Sequence, residues 1–588
     1  MRLGRLLDAA VLLAAGAALG ASRDARRAGA RPADGSAAAR FAALHAEEWA
    51  WRQAEFAGGE AEGGGATVPD HLPRVDPATQ ARRRARWEDV LRRLDALPPA
   101  QLEGEDGVDY RVYREQVETL LAQQRWREYE KPINADTAFW STLDYAAMRT
   151  LRDAREVEAY VAYLADVPRW FDEQMANLRA GLARGFTPPR VTLAGRDAPV
   201  AAIARAPTAE AMALWKPLER LPAGLGPERG EALRARARAT LLDAVRPAYA
   251  RLLAFLREEY VPGARETLAA ADLPDGAAYY RAQIREFTTL EDATPESIHA
   301  FGLREVARIH AAMLETMRET GFEGAFPAFL ELLRTDPRFY AKTPEELLMR
   351  AAWIAKRVDG RLGAFIGRLP RARFGIAPVP DEIAPFYTAG RGGETYLLNT
   401  YDLPSRPLYN LAALTLHESA PGHSLQIALA AEQEGLPAFR REHYLSAYGE
   451  GWALYCEKLG EEMGIYETPY ERFGMLTFQM WRAARLVIDT GLHHHGWTRA
   501  QAIAYLHEHA ALARHDIETE VDRYLSWPGQ ALSYYVGMAT ILELRADAEA
   551  ALGERFDLRA FHDAVLATGS VPLPVLRDVV ARFVAQAR

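Results

Sequence analysis

A mainly α-helical fold is what this 588-residue chain predicts, and three observations predict it. Long segments rich in Ala, Leu, Arg and Glu repeat their apolar residues at the spacing of an amphipathic helix. Helix-start signatures recur along the chain, and strand character is confined to one short run. The composition, 49% hydrophobic and 26% charged, suffices for a well-buried core and excludes disorder over most of the length. Lys+Arg 71 against Asp+Glu 80 leaves a net charge of −9, with no long basic block. The electrostatic footprint of a nucleic-acid binder is therefore absent.

Taken in order, Arg2 and Arg5 precede an apolar stretch, Val11 to Ala21, followed by small residues. Residues 1–21 read as a secretory signal peptide, which makes the protein exported, periplasmic or secreted. An Ala-rich N-terminus on a cytoplasmic protein is the alternative. No other uncharged apolar run approaches the roughly 18 residues of a membrane span, so no integral membrane segment is expected in the mature chain. Residues 22–37 read as a flexible leader, and residues 38–588 as a single helical domain. Gly58 to Gly65 is a loop between helices. Ala78 to Leu97, Arg152 to Leu182 and Pro227 to Tyr260 are long helices by their periodicity. Thr294 as N-cap, with Pro295 behind it and Ser297 at the third position, opens another that runs to about Thr320. Between Phe374 and Asp402, Ile376 to Pro380 and Tyr387 to Gly393 are loop-like, and Thr395 to Thr400 is the one convincing strand. Ser405 and Pro407 then start a further helix, so a small β-sheet is expected beside it.

That helix carries the most informative run, His417-Glu418-Ser419-Ala420-Pro421-Gly422-His423. It is nearly the zinc-hydrolase motif in which two His four residues apart bind metal and the Glu beside the first serves as base. Here the spacing is six, which on a regular helix turns the second His about 120° away. Sharing one metal requires the helix to distort between Ser419 and Gly422. Pro421 removes a helix hydrogen bond and Gly422 accepts unusual dihedrals, so the run contains the means of its own distortion. The single cysteine, Cys456, excludes an intrachain disulfide and Cys-based metal knuckles, leaving His and carboxylates as ligands.

A catalytic zinc needs a third protein ligand and an open position. The next amphipathic segment, His443 to Met463, offers Glu450 and Glu457. Seven residues separate them by about 10 Å along a helix, so one metal cannot take both. Glu450 is the expected third ligand to one zinc per chain, and Glu457 the group that orients a ligand imidazole. Arg485 is placed to meet a substrate carboxylate or to pair with Asp489 one turn on. His493 is a candidate for lining the cleft, and the remaining histidines of 493–495 and 507–509 read as solvated helix-end residues. Tyr396, on the strand, and Gln426, one turn past His423, are further candidates for contacting substrate or supporting the ligands.

Several ordered motifs together resemble one family. They are Asn399-Thr400-Tyr401-Asp402, Ser405-Arg406-Pro407, His417 to His423 with Gln426, Glu450-Gly451-Trp452-Ala453, Val487 to His493 and Trp527-Pro528-Gly529-Gln530-Ala531. The resemblance, from roughly residue 40 to the C-terminus, is to the bacterial domain-of-unknown-function family eight-eight-five, the His-Glu-x-x-Pro-Gly-His proteins. That family in turn resembles helical zinc metallopeptidases of the gluzincin type. The resemblance implies a two-lobed helical fold around a long cleft and a zinc-dependent hydrolase cleaving short peptides, with Glu418 as general base. It also implies a late Tyr that donates to the oxyanion, for which Tyr534 is chosen over Tyr535. A hydrolase of another amide or of a cell-wall fragment is the second reading, and a non-catalytic helical binding protein the third.

Overall fold

The computed structural model describes residues 35–57, 68–379, 384 and 395–587. The chain divides into two compact units, Met1–Arg265 and Glu266–Arg588, each built mainly of helices. The expected signal peptide, nearly all of the leader, the Gly58–Gly65 loop and the Tyr387–Gly393 loop lie outside the described residues. Ser36 accepts the Ala39 N–H at 3.1 Å and so caps α1 (Ala37–Glu55).

In the first unit, α2 (Pro77–Asp95), α3 (Gly104–Trp126) and α4 (Ala154–Arg184) follow. Pro227 to Tyr260 is helical as expected, but two wide π turns interrupt it. They are Leu241–Val245, between α5 (Pro227–Thr240) and α6 (Arg246–Phe255), and Leu256–Tyr260. Each wide turn ends two residues before a proline, Pro247 or Pro262. A proline ring collides with the carbonyl one turn back and offers no N–H, and a wider turn relieves both. The core centres on Phe139, Trp170, Phe171 and Tyr249, stacked edge to face at centroid distances of 4.8–5.6 Å.

In the second unit α7 (Pro295–Glu319) starts with the expected N-cap, and Thr294 and Ser297 satisfy each other's backbone N–H groups. The Gly375–Pro378 segment, which reads as part of a loop, is instead strand β1. It pairs in parallel with β2 (Thr395–Leu398), Gly375 opposite Thr395. Its Gly-Ile-Ala-Pro sequence has little strand propensity of its own; pairing with β2 is what makes it a strand.

Five helices then build the frame of the site: α8 (Leu408–Glu418), α9 (His423–Ala431), α10 (Ser446–Glu462), α11 (Pro469–His493) and α12 (Arg514–Ser526). They are completed by α13 (Ser533–Leu552) and α14 (Leu558–Leu566). Helix α11 is buried at every residue from Phe473 to His493, polar ones included. Helices α10 and α13 touch backbone to backbone. A Cβ on Gly537 would lie 1.9 Å from the Ala447 carbonyl, and one on Gly451 would lie 2.5 Å from the Gly537 backbone. Ser446 Oγ donates to Ser533 Oγ at 2.7 Å beside this contact. Among the described residues, no helix is long and apolar enough to cross a membrane.

Two outcomes follow from this packing. Gly537→Ala forces α10 and α13 apart and costs about 1–3 kcal/mol of stability, read as a lowered denaturation midpoint. His562 gives a pH dependence. Its ring is fully buried, with Nδ1 donating to the Phe365 carbonyl at 2.8 Å and Nε2 accepting from Tyr455 at 2.7 Å. Burial, opposed by the Phe365 carbonyl, pulls its pKa down to about 4. Between pH 6.5 and 4 the unfolded chain binds a proton that the folded chain refuses. Stability therefore falls by up to about 3 kcal/mol as pH drops through that window, and levels off below it. Urea titrations of wild type and His562→Gln across that window should show the shallower slope in the variant.

Candidate metal centre

The helix carrying His417 stops at Glu418 and a new one starts at His423. Between them the peptide bond before Pro421 is cis, and Ser419 (ψ −120°) and Gly422 (ψ −135°) leave the helical region. The backbone remains satisfied across the break. The Gly422 N–H reaches back to the Leu416 carbonyl at 3.1 Å, and the Ser424 N–H to the Ser419 carbonyl at 3.0 Å. Only glycine fits at 422, since a Cβ there would lie 2.0 Å from the His417 carbonyl. The Trp452 indole on α10 donates to the Pro421 carbonyl at 2.8 Å and ties the break to the next helix.

The break brings three groups together. Glu450 Oε2 lies 3.4 Å from His417 Nε2 and 3.3 Å from His423 Nε2. All three donor atoms fall within 4.8 Å of one another, and this is the one such trio among the described residues. Ligands about 2.0–2.1 Å from a tetrahedral zinc stand about 3.3–3.4 Å apart. The two Glu450 distances are those of tetrahedron edges. Glu450 Oε2 is buried and makes no hydrogen bond, as an atom reserved for a cation would be. With two imidazoles and a carboxylate and no thiol, the donor set suits zinc.

Neighbours hold each donor in position. Glu457 Oε1 accepts from His417 Nδ1 at 2.7 Å, which leaves the Nε2 lone pair free to face the trio. Tyr444 donates to Glu450 Oε1 at 2.9 Å and leaves Oε2 for the centre. Burial favours the protonated form of Glu450, but His423 and His417 outweigh it and hold the carboxyl well below its ordinary range. Glu418, beside the first His, is 3% exposed and its Oε2 has no partner. Burial pushes its carboxyl up to about 8; His423 opposes the rise and Glu450 adds to it.

The other expected residues divide. The Tyr534 ring lies 6.5 Å from that of His417 and nearly parallel to it, and its hydroxyl accepts from Arg523 at 3.1 Å. Tyr535 instead bonds Glu305 at 2.7 Å and Arg308 at 3.0 Å. Gln426 is buried beside Tyr448. Tyr396 is fully buried near Thr415 and Glu418 and offers no surface to a substrate.

Two expectations are corrected. Arg485 does not pair with Asp489. It bonds Glu520 at 2.8 Å and Tyr524 at 2.9 Å, because the buried face of α12 supplies a carboxylate and a phenol opposite it. Asp489 accepts instead from Tyr280 at 2.6 Å. His493 does not line a cleft. It is fully buried, accepting the Ala270 N–H at 3.0 Å on one nitrogen and meeting the Tyr524 carbonyl at 2.8 Å on the other.

Sequence reading gave no role to Tyr444, Trp452 or Arg482. Trp452 stands inside the quoted Glu-Gly-Trp-Ala motif, so its neighbourhood was the available signal. Arg482 is 3% exposed, sandwiched on Trp481 and Phe478, with Nη2 3.7 Å from Glu457. Nothing in the spacing marks Tyr444 or Arg482.

No curated protein matches the chain. Among solved structures, one titled a "putative lipoprotein" from Colwellia psychrerythraea is 27% identical over 94% of this chain and 100% of that one, with a TM-score of 0.84. A second, titled a "putative lipoprotein of unknown function" from Shewanella oneidensis, is 16% identical over 93% of this chain and 100% of that one, with a TM-score of 0.65; it shares the fold. A third, titled an M32 carboxypeptidase from Deinococcus radiodurans R1, is 15% identical over 86% and 96% of the two chains, and its TM-score of 0.31 is too low to carry an argument. The family model described as "Bacterial protein of unknown function (DUF885)" matches residues 53–580, and the chain belongs to that family.

Proposed function

We propose that the chain is a zinc-dependent hydrolase that cleaves peptide bonds of short peptides. The observation that carries the reading is the trio of His417, His423 and Glu450, its donor atoms within 4.8 Å of one another, with Glu418 and its unpartnered Oε2 directly beside it in sequence. Zinc held there supplies a Lewis acid that polarises a carbonyl and acidifies water. The protein's own groups do the rest. Glu418 takes a proton from the attacking water and returns it to the leaving amine. Tyr534, stacked near His417, is the candidate donor to the developing oxyanion. Glu457 and Tyr444 fix the atoms of His417 and Glu450 that face the centre. Residues 38–588 form the hydrolase under this reading, two lobes of one catalytic domain. Export is supported by the two neighbours titled lipoproteins.

Two experiments test it. Glu418→Gln is expected to keep about one zinc per chain by metal analysis while kcat/KM on a mixed short-peptide substrate falls about 10²–10⁴-fold. Full activity in that variant overturns the mechanism. Glu457→Gln, which weakens the hold on His417 Nδ1, is expected to lower zinc affinity about 10–100-fold in competition with a chelator.

A further inference from the structure

Helix α8 presents a second polar feature on the same face as His417. Asn410 and Leu414 lie seven and three residues before His417, so they line that face about 10 and 5 Å from it along the axis. Together with Leu398 at the end of β2, and Trp481 and Arg482 of α11, they line a cavity of about 60 Å³, enough for several water-sized groups.

Four polar atoms of residues lining this cavity, Arg406 Nε, Asn410 Oδ1 and Arg482 Nε and Nη1, have no hydrogen-bond partner. Arg482 is 3% exposed, yet its Nε and Nη1 have no hydrogen-bond partner, and Nη2 only approaches Glu457 at 3.7 Å. Asn410 is 5% exposed and its Oδ1 has no partner. At the rim, Arg406 spends Nη1 on Asp516 at 3.2 Å and leaves Nε unpaired. A buried guanidinium with open donors is costly unless something accepts from it, and the planar fork suits a carboxylate. An adjacent unpaired acceptor, Asn410 Oδ1, suits an amide N–H. A peptide offers a carboxylate and an amide N–H side by side.

We infer that this cavity is a substrate subsite in which Arg482 binds a carboxylate and Asn410 accepts a neighbouring amide N–H. The inference rests on the hydrolase reading and adds to it a substrate class. An extended peptide advances about 3.3 Å per residue. Leu414 and Asn410, about 5 and 10 Å along α8 from His417, thus mark a span of two or three peptide residues between the trio and the far end of the cavity. The bound carboxylate comes either from the C-terminus of a short peptide or from an acidic side chain.

The test uses the zinc-loaded full chain and three N-blocked peptides that share one sequence up to the last residue. One ends in a free carboxylate, one in an amide, and one in an amide with Glu as its last residue. The free acid is expected to exceed the plain amide about 100-fold in kcat/KM. A Glu-amide cleaved as well as the free acid assigns the site to a side-chain carboxylate, and one cleaved as poorly as the plain amide assigns it to the C-terminus. Arg482→Gln is expected to shrink the preference to within about 10-fold, mainly through KM, with zinc content unchanged. If this variant does not fold, the wild-type comparison decides alone. Equal cleavage of all three peptides overturns the subsite and leaves the hydrolase standing. If none is cleaved, the hydrolase reading fails, and calorimetric binding of the free acid and the amide to Glu418→Gln decides the subsite. Tighter binding of the acid by about 10-fold or more supports it, and equal affinities overturn it.

Discussion

Everything about the site depends on the interruption between Glu418 and His423. A continuous helix would turn the two imidazoles about 120° apart, and no arrangement of the other elements would bring both to one point. The break removes that separation while keeping the backbone bonded, through the Gly422–Leu416 and Ser424–Ser419 hydrogen bonds. Its shape is held from outside by the Trp452 indole on the Pro421 carbonyl. Trp452 stands two residues after Glu450, so the helix that supplies the third donor also clamps the segment that positions the first two. The spacing of the trio is thereby set by one rigid pairing of α10 with the break.

Around that pairing the fold assembles an unusual amount of buried charge. Glu418, Glu450, Glu457 and Arg482 are all largely shielded from water, and a carboxylate without a partner is costly in such surroundings. Glu418 and Glu450 shift in opposite directions because their neighbours differ. Glu457 has His417 and Arg482, and Glu450 has two imidazoles and Tyr444. Glu418 has burial without a hydrogen-bonding partner at Oε2, and its carboxyl is pushed up to about 8. Carboxylates driven apart in proton affinity by their surroundings give a site both a permanent anion and a proton carrier.

The scaffold reaches this arrangement by close helix contact. Gly451 against Gly537 lets α10 and α13 meet backbone to backbone, which brings the start of α13, with Tyr534, beside the helix of Glu450. The buried stretch of α11 supplies Arg482 to the site, while Arg485 pairs with Glu520. A buried guanidinium pairs with the carboxylate that packing places opposite it, and the nearest carboxylate in sequence need not be that one.

The helical character, several helix starts and the residues of the candidate metal site were legible along the chain. These properties are local: apolar spacing, an N-cap at Thr294, and a Pro-Gly pair that cannot continue a helix wherever it occurs. The sequence also carried the family, since ordered motifs survive without coordinates. What only the tertiary structure decided were the pairings across the fold. The Gly375–Pro378 strand exists because β2 lies beside it, Arg485 meets Glu520 instead of Asp489, His493 is buried between Ala270 and Tyr524, and Tyr444 reaches Glu450. Each depends on which helix face meets which, and that is set by the packing of the whole unit, a nonlocal quantity that no spacing along the chain encodes.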